Sequence, residues 1–163
     1  MEIIKKVEVF HTVFGHPVLS KPQIPSTDRV NLRIELIKEE LEEFEDAARE
    51  GDIVKVADAL GDILYVVAGA ALEFGLGSKM DEVFTKIHSS NMSKILYSRL
   101  TAEKEQRRLA TEGKEVTINE RQVEINGKLN SVFTLLSPSG KIIKPSTYQE
   151  VDLTFVRDGG ETP

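Results

Sequence analysis

Five carboxylates stand where ordinary folding has little use for them. Between Glu39 and Asp62 the chain carries ten acidic residues and only two basic ones, Arg49 and Lys55. At 100° per residue, Val30, Ile34, Ile37, Leu41, Phe44 and Ala48 form one apolar stripe, the expected core face of a helix. Leu32, Leu36, Glu39, Glu40, Glu43 and Ala47 form a second stripe, apolar at its ends and carboxylate in its middle. In the next segment, Val56 to Leu72, the only charged residues are Asp58 and Asp62, four apart and so on one helix face. Unpaired carboxylates in apolar surroundings must be protonated, paired with cations or bound to metal. An oxygen-only donor set of Glu39, Glu40, Glu43, Asp58 and Asp62 suits Mg²⁺, with Mn²⁺ as its substitute. The alternative is a solvated glutamate-rich face, with the aspartates paired to Lys or Arg on a neighbouring helix.

The elements that would position these groups follow from punctuation. A helix is expected over about 3–13, with Ile3, Ile4, Val7, Phe10 and Phe14 on one face and Gly15 as its stop. Prolines 17, 22 and 25 make the next stretch an ordered loop lying over the body. Ser26, Thr27 and Asp28 offer N-cap chemistry for a helix to about Glu50, stopped by Gly51. A second long helix runs from Asp52 to about Phe74, where Ala57, Ala59, Gly61, Ala68, Gly69, Ala70 and Ala71 allow another helix to approach closely. A third, capped by Ser78, runs from Lys79 to 89–92 or beyond, and a fourth, charged and exposed, from Thr101 to Gly113. Beyond Gly113 the period falls towards two, with an Asn126-Gly127 turn and a second turn at Ser137–Gly140 between short strands. The five residues from Gly159 read as a frayed end. The expected division is a helical catalytic domain over 1–100 and an extension over 101–163 of charged helix and β-hairpin, packed on the same domain.

Composition removes whole classes of function. The chain has 163 residues, no cysteine and a net charge of −6, which excludes disulfides, thiolate zinc sites, iron-sulfur clusters and cysteine nucleophiles. The negative balance argues against a general grip on nucleic acid. No apolar run reaches the roughly 18–20 residues of a membrane span, and the N-terminus lacks a secretory pattern, so a cytoplasmic protein without a membrane partner is expected. A di-iron carboxylate bundle needs Glu-x-x-His on two helices. The chain offers it once, at Glu8 and His11.

The segments IKEELEEFEDA at 37–47, DALGDILYVVAGAALEFG at 58–75 and HSSNMSK at 88–94 resemble the all-α nucleoside triphosphate pyrophosphohydrolases, in the MazG-like and phosphoribosyl-ATP pyrophosphohydrolase-like branch. FGHPV at 14–18 and GKIIKP at 140–145 are similar to its weaker flanking signatures. The resemblance implies a mainly α fold, a MazG-like helical bundle assembled across an oligomer, a homodimer or dimer of dimers; the small β-hairpin appendage near the C-terminus, read from the period of two, is a departure from the shorter relatives. It implies an Mg²⁺-dependent enzyme converting a nucleoside triphosphate into monophosphate and pyrophosphate, in nucleotide-pool cleaning or adjustment. Glu39, Glu40 and Glu43 match the first acidic motif and Asp62 the closing aspartate of the second. Where many MazG-like members place a glutamate three residues before that aspartate, this chain has Ala59, with Asp58 one residue earlier as in the phosphoribosyl-ATP-like branch. Asn91 and Lys94 match positions expected to contact nucleotide and phosphate. On this reading Glu40 or Glu39 takes a proton from the attacking water, and Lys94, Lys141 or Lys144 stabilises the leaving pyrophosphate. Arg33 is a counter-ion or a phosphate contact, and Tyr65 a core residue or a base-stacking one. Phosphoribosyl-ATP is the alternative substrate, and a catalytically silent helical dimer the alternative of another class.

Overall fold

The computed structural model describes residues 1–125 and 127–157. Asn126 of the expected turn and the segment called frayed lie outside the described residues. Among the described residues are five α-helices, α1 (Glu2–Phe14), α2 (Thr27–Glu50), α3 (Ile53–Glu73), α4 (Met80–Met92) and α5 (Arg99–Thr111), and three strands, β1 (Thr117–Ile125), β2 (Lys128–Leu136) and β3 (Ile142–Ile143). None of these helices is long and apolar enough alone to cross a membrane. The chain divides into two compact units within α4, between Val83 and Phe84, and the segment from Leu153 belongs to the first unit.

In the first unit α3 packs against both α1 and α2. Its own start is fixed locally, because the Asp52 carboxylate accepts from the backbone N–H of Val54 and Lys55 at 3.0 and 3.2 Å. Ile4, Val7, Ala68, Ala71 and Leu72 form the core, with Ile3, Leu76 and Met80 packed on it. Of the small residues of α3, Ala59, Ala68, Gly69 and Ala71 are buried and Ala70 half-buried, whereas Ala57 and Gly61 are exposed. The proline loop does lie over the body: Leu19 N–H donates to the Leu72 carbonyl at 3.0 Å and Gln23 N–H to that of Phe74 at 3.1 Å. Gly75 is required there, because a Cβ would stand 1.9 Å from the Lys21 carbonyl oxygen and its φ is +69°.

Two expected faces are corrected. On α1 the buried line is Ile4, Val7 and His11, while Phe10 and Phe14 are exposed. On α2 the supposed core stripe leaves Ile34 at 44% and Leu41 at 55% exposed, with Ala48 exposed too. The buried residues of α2 are Arg33 and Ala47. Periodicity reports that a helix is two-faced, but not which face its own chain covers.

In the second unit β1, β2 and β3 form an antiparallel sheet in that order, with Thr117 opposite Leu136 and Ile125 opposite Lys128. Leu96 adds a bridge to Phe133. Leu96, Ala102, Leu109, Val116, Phe133 and Leu135 make a second core. The expectation of an exposed α5 is corrected accordingly, since Ala102, Glu105 and Leu109 bury one of its faces.

Candidate active site

Glu40 is the centre of the acidic group. It is half-buried on α2, whereas Glu39, Glu43, Asp58 and Asp62 are exposed. Burial, and then the charges of Asp62, Glu43, Glu39 and Asp58, raise its proton affinity above the ordinary carboxylate range. The four other predicted carboxylates are therefore within electrostatic reach of Glu40, across the antiparallel pair α2 and α3. Asp58 and Asp62, expected in apolar surroundings, are both exposed, so they bear little desolvation cost.

Pairing separates this group from the solvated face of α2. Glu35, Glu45 and Glu50 are joined to Lys38, Arg49 and Lys55, whereas none of the five has such a partner among the described residues. Glu43 and Asp58 open onto a cleft of about 310 Å³ that also includes Asp46, Ala47, Glu50, Lys55 and Ala59. A larger cleft of about 450 Å³, lined among others by Ile4, Lys5, Glu8 and Leu72, contains none of the predicted site residues, so chemistry and not size locates the site.

The donor set fits a hard divalent cation in type and charge, being carboxylate throughout and uncompensated. Its geometry is open, because among the described residues no three acidic or histidine side chains converge closely enough to hold one ion. Holding an ion would require these exposed side chains to rotate together.

Arg33 falls elsewhere. It is 6% exposed, and its guanidinium is an ion-pair partner of Glu73, which is fully buried at the end of α3 and also takes Arg29. Arg29 Nε donates to Glu73 Oε2 at 2.9 Å. Burial alone would raise the Glu73 carboxyl, but the hydrogen bonds from Arg29 and Arg33 outweigh it and hold the group below its ordinary range. Arg33 is thus a counter-ion, though of Glu73 and not of the acidic stripe, and its burial removes it from phosphate contact. Its Nε has no partner among the described residues, a cost of roughly 1–3 kcal/mol that the neighbouring bonds must outweigh.

His11 completes this cluster. Its Nδ1 lies 2.9 Å from the Pro17 carbonyl oxygen, which can only accept, so Nδ1 carries the proton. Nε2 is then bare and accepts from Arg33 Nη2 at 3.1 Å. With both nitrogens committed, His11 is a packing anchor and the Glu8–His11 pair is no metal site. Burial lowers its proton affinity, against the Pro17 hydrogen bond, which raises it, and with the Arg33 charge adding to the lowering. Tyr65 is 37% exposed, one turn beyond Asp62, its ring edge-on to Phe10 at 5.5 Å.

The remaining predicted residues belong to the second unit. Lys94 Nζ donates to Asn91 Oδ1 at 2.7 Å. Lys144 Nζ stands 4.3 Å and Lys94 Nζ 5.9 Å from the centre of the Tyr148 ring, so these two lysines share one aromatic. Ser90 lies 2.9 Å from the Tyr148 hydroxyl. That bond first, opposed by burial, and then the charges of Lys144 and Lys94 lower the phenol's proton affinity. Lys141 sits in the Ser137–Lys141 turn, where its backbone N–H donates to Ser137 Oγ at 3.1 Å. Sequence reasoning missed Tyr148, although an aromatic four residues after Lys144 was the available signal.

Residues 7–91 match the phosphoribosyl-ATP pyrophosphohydrolase family. The chain belongs to that family. The match takes in α2, α3 and the carboxylates of both, and it ends at Asn91. This family is part of the MazG-like all-α superfamily of nucleoside triphosphate pyrophosphohydrolases, and its members by name are hydrolases of a phosphoric anhydride. An uncharacterized protein of Acanthamoeba polyphaga mimivirus is 44% identical over 71 residues, which is 41% of this family member and 28% of the viral protein. The chain thus corresponds to less than a third of that relative's length.

Proposed function

We propose that the protein is an Mg²⁺-dependent nucleoside triphosphate pyrophosphohydrolase that releases monophosphate and pyrophosphate, acting in nucleotide-pool cleaning or adjustment. The observation that carries the reading is Glu40, half-buried, with raised proton affinity, among four further carboxylates that lack cation partners. Glu39, Glu40, Glu43, Asp58 and Asp62 would hold Mg²⁺, or Mn²⁺ in its place, and the ion would supply positive charge between these carboxylates and the triphosphate they otherwise repel. Water adds to the α-phosphorus and the bond from that phosphorus to the bridging oxygen breaks. Glu40, whose proton affinity is raised by burial and by the neighbouring carboxylates, or Glu39 beside it, accepts the water's proton. Pyrophosphate leaves with the bridging oxygen; Lys94, Lys144 and Lys141 are proposed to meet its charge on the ground of the family resemblance alone. Asn91 orients the nucleotide, and Tyr65, exposed one turn from Asp62, offers a face for the base.

The apolar residues that α2 and α3 leave uncovered support an assembly of several copies. Ile34 and Leu41 on α2, with Leu60, Leu64 and Val67 on α3, are each 40% exposed or more. Apolar side chains gathered in this way mark an interaction surface, and a second copy of the chain, as homodimer or dimer of dimers, is the proposed cover.

Chromatography of products from a panel of ordinary and modified nucleoside triphosphates, with phosphoribosyl-ATP included, tests the activity. Monophosphate and pyrophosphate should appear in equal amounts and only with Mg²⁺ or Mn²⁺. Orthophosphate with diphosphate would overturn the cleavage position, and no turnover on any substrate would favour the silent helical dimer.

A further inference from the structure

The cluster of Arg29, Arg33 and Glu73, closed by His11 from α1, has no place in the chemistry above, yet its α2 and α3 members sit on the same helix faces as the acidic group. Arg33 and Glu40 are seven residues apart on α2, and Gly69 and Asp62 seven apart on α3. Seven residues are two turns, within about 20° of the same direction and about 10.5 Å along the axis. Since α2 and α3 run antiparallel, the Arg33–Gly69 level and the Glu40–Asp62 level are two rungs of one ladder.

The upper rung is fitted closely. A Cβ on Gly69 would stand 2.7 Å from Arg33 Nη1, 2.9 Å from His11 Nε2 and 3.3 Å from Arg33 Cζ. The missing side chain is therefore a notch through which Arg33 crosses α3 to reach Glu73, one turn further on. His11, clamped to the Pro17 carbonyl, closes the notch from α1. A guanidinium in such a slot, bonded at its far side to a fully buried carboxylate, fixes how far one helix can slide along or roll over the other.

We propose that Gly69, Arg33 and Glu73 are positioning residues: they lock the register of α2 against α3 and so set the separation of Glu40 and Asp62 on which the active site depends. The inference rests on the functional reading above, because it assigns the lock a task in that site. A slip of one residue would move the facing carboxylates by about 1.5 Å and swing them by about 100°, enough to dismantle a site assembled from side chains of both helices.

The absence of cysteine makes the test clean. Nitroxide labels on Glu35→Cys and Val54→Cys, both exposed and outside the proposed donor set and the proposed subunit contact, report the helix register by distance measurement in the metal-free protein. Mn²⁺ affinity by calorimetry and the kcat and KM of pyrophosphate release are measured without labels. Gly69→Ala should broaden or displace the label distance, weaken Mn²⁺ at least tenfold and lower kcat more than it raises KM. Glu73→Gln, which keeps volume, should act in the same direction if Gly69→Ala does not fold. Arg33→Lys removes the fork that the added methyl meets, so Gly69→Ala with Arg33→Lys should recover part of the Mn²⁺ affinity. Leu72→Val, a core change in the same unit, should lower the melting temperature while leaving Mn²⁺ affinity within about twofold. An unchanged label distance in a folded Gly69→Ala protein overturns the lock. A changed distance with unchanged Mn²⁺ affinity and turnover overturns its task. If the unsubstituted protein neither binds Mn²⁺ nor turns over, the functional reading fails instead, and with it the task, while the label distance still decides the register.

Discussion

The helix pair α2–α3 holds two collections of charge two turns apart, and they are built on opposite principles. At the Glu73 end the charges are buried and matched: one carboxylate takes two guanidiniums, and a neutral imidazole accepts from one of them. At the Glu40 end the charges are mostly solvated and unmatched, five of one sign. A buried charge must bring its partner with it, because the desolvation cost has to be met within the fold. A carboxylate left at the surface without a partner incurs only repulsion, which a mobile cation can relieve. The first arrangement serves structure, and the second leaves an opening for a ligand.

Substitution at each end should break that contrast in opposite ways. The largest effect is on catalysis: Glu40→Gln should lower kcat by roughly 10²- to 10⁴-fold, the usual worth of a general base, with a metal-free melting temperature equal to or above that of the unsubstituted protein. Steady-state pyrophosphate release and thermal melts, at matched protein concentration, read both quantities. Retention of full kcat would move the base to Glu39.

Next in size is a loss of stability. Glu73→Ala strips the partner from two guanidiniums, one of them buried, and should cost about 3–5 kcal/mol in urea unfolding. Glu43→Gln, which removes one of the repelling charges, should leave stability equal or raised while activity falls. If the two variants proved equally stable, the distinction between matched and unmatched charge would be empty.

A smaller effect lies in pH. His11 is held below its ordinary value of 6.5, so below that pH the unfolded chain binds the proton that the folded chain refuses. The unfolded state then holds more protons, and stability must fall as pH drops through about 6.5. Glu73, held below its ordinary 4.5, adds a second loss as pH falls below that value, for the same reason of sign. Unfolding free energies from pH 8 to pH 4 should show both, and His11→Gln should flatten only the upper one. The smallest effect belongs to the solvated face: Arg49→Ala breaks an exposed pair with Glu45 and should change stability by no more than about 0.5 kcal/mol.

Much of this was legible before any coordinates. Gly15, Gly51 and Gly75, with the prolines between 17 and 25, bounded three helices to within a residue or two, because punctuation is a local backbone property. The carboxylates and the small residues of α3 were likewise readable as types. The partner of each was not. Arg33 and Glu73 lie 40 residues apart, and nothing in the pattern of either helix says that they meet. The stripe of Ile34 and Leu41 misled for a related reason, since amphipathicity is a property of one helix and burial a property of two. Tyr148 escaped notice because its significance comes from Lys94 and Lys144, which reach its ring from two separate segments.

The loop that carries the prolines has a consequence for how the first unit comes apart. Its amides at Leu19 and Gln23 are bonded to carbonyls at the end of α3, and Gly75 admits the Lys21 carbonyl into the remaining space. The strap therefore cannot lift without exposing the last turn of α3, and that turn carries Glu73. Opening of the strap, loss of the Glu73 contacts and release of α1 should form one cooperative event. In hydrogen exchange, the amides of Leu19 and Gln23 would then share the slow rate of the helix they are tied to, in place of the fast rate usual for a loop.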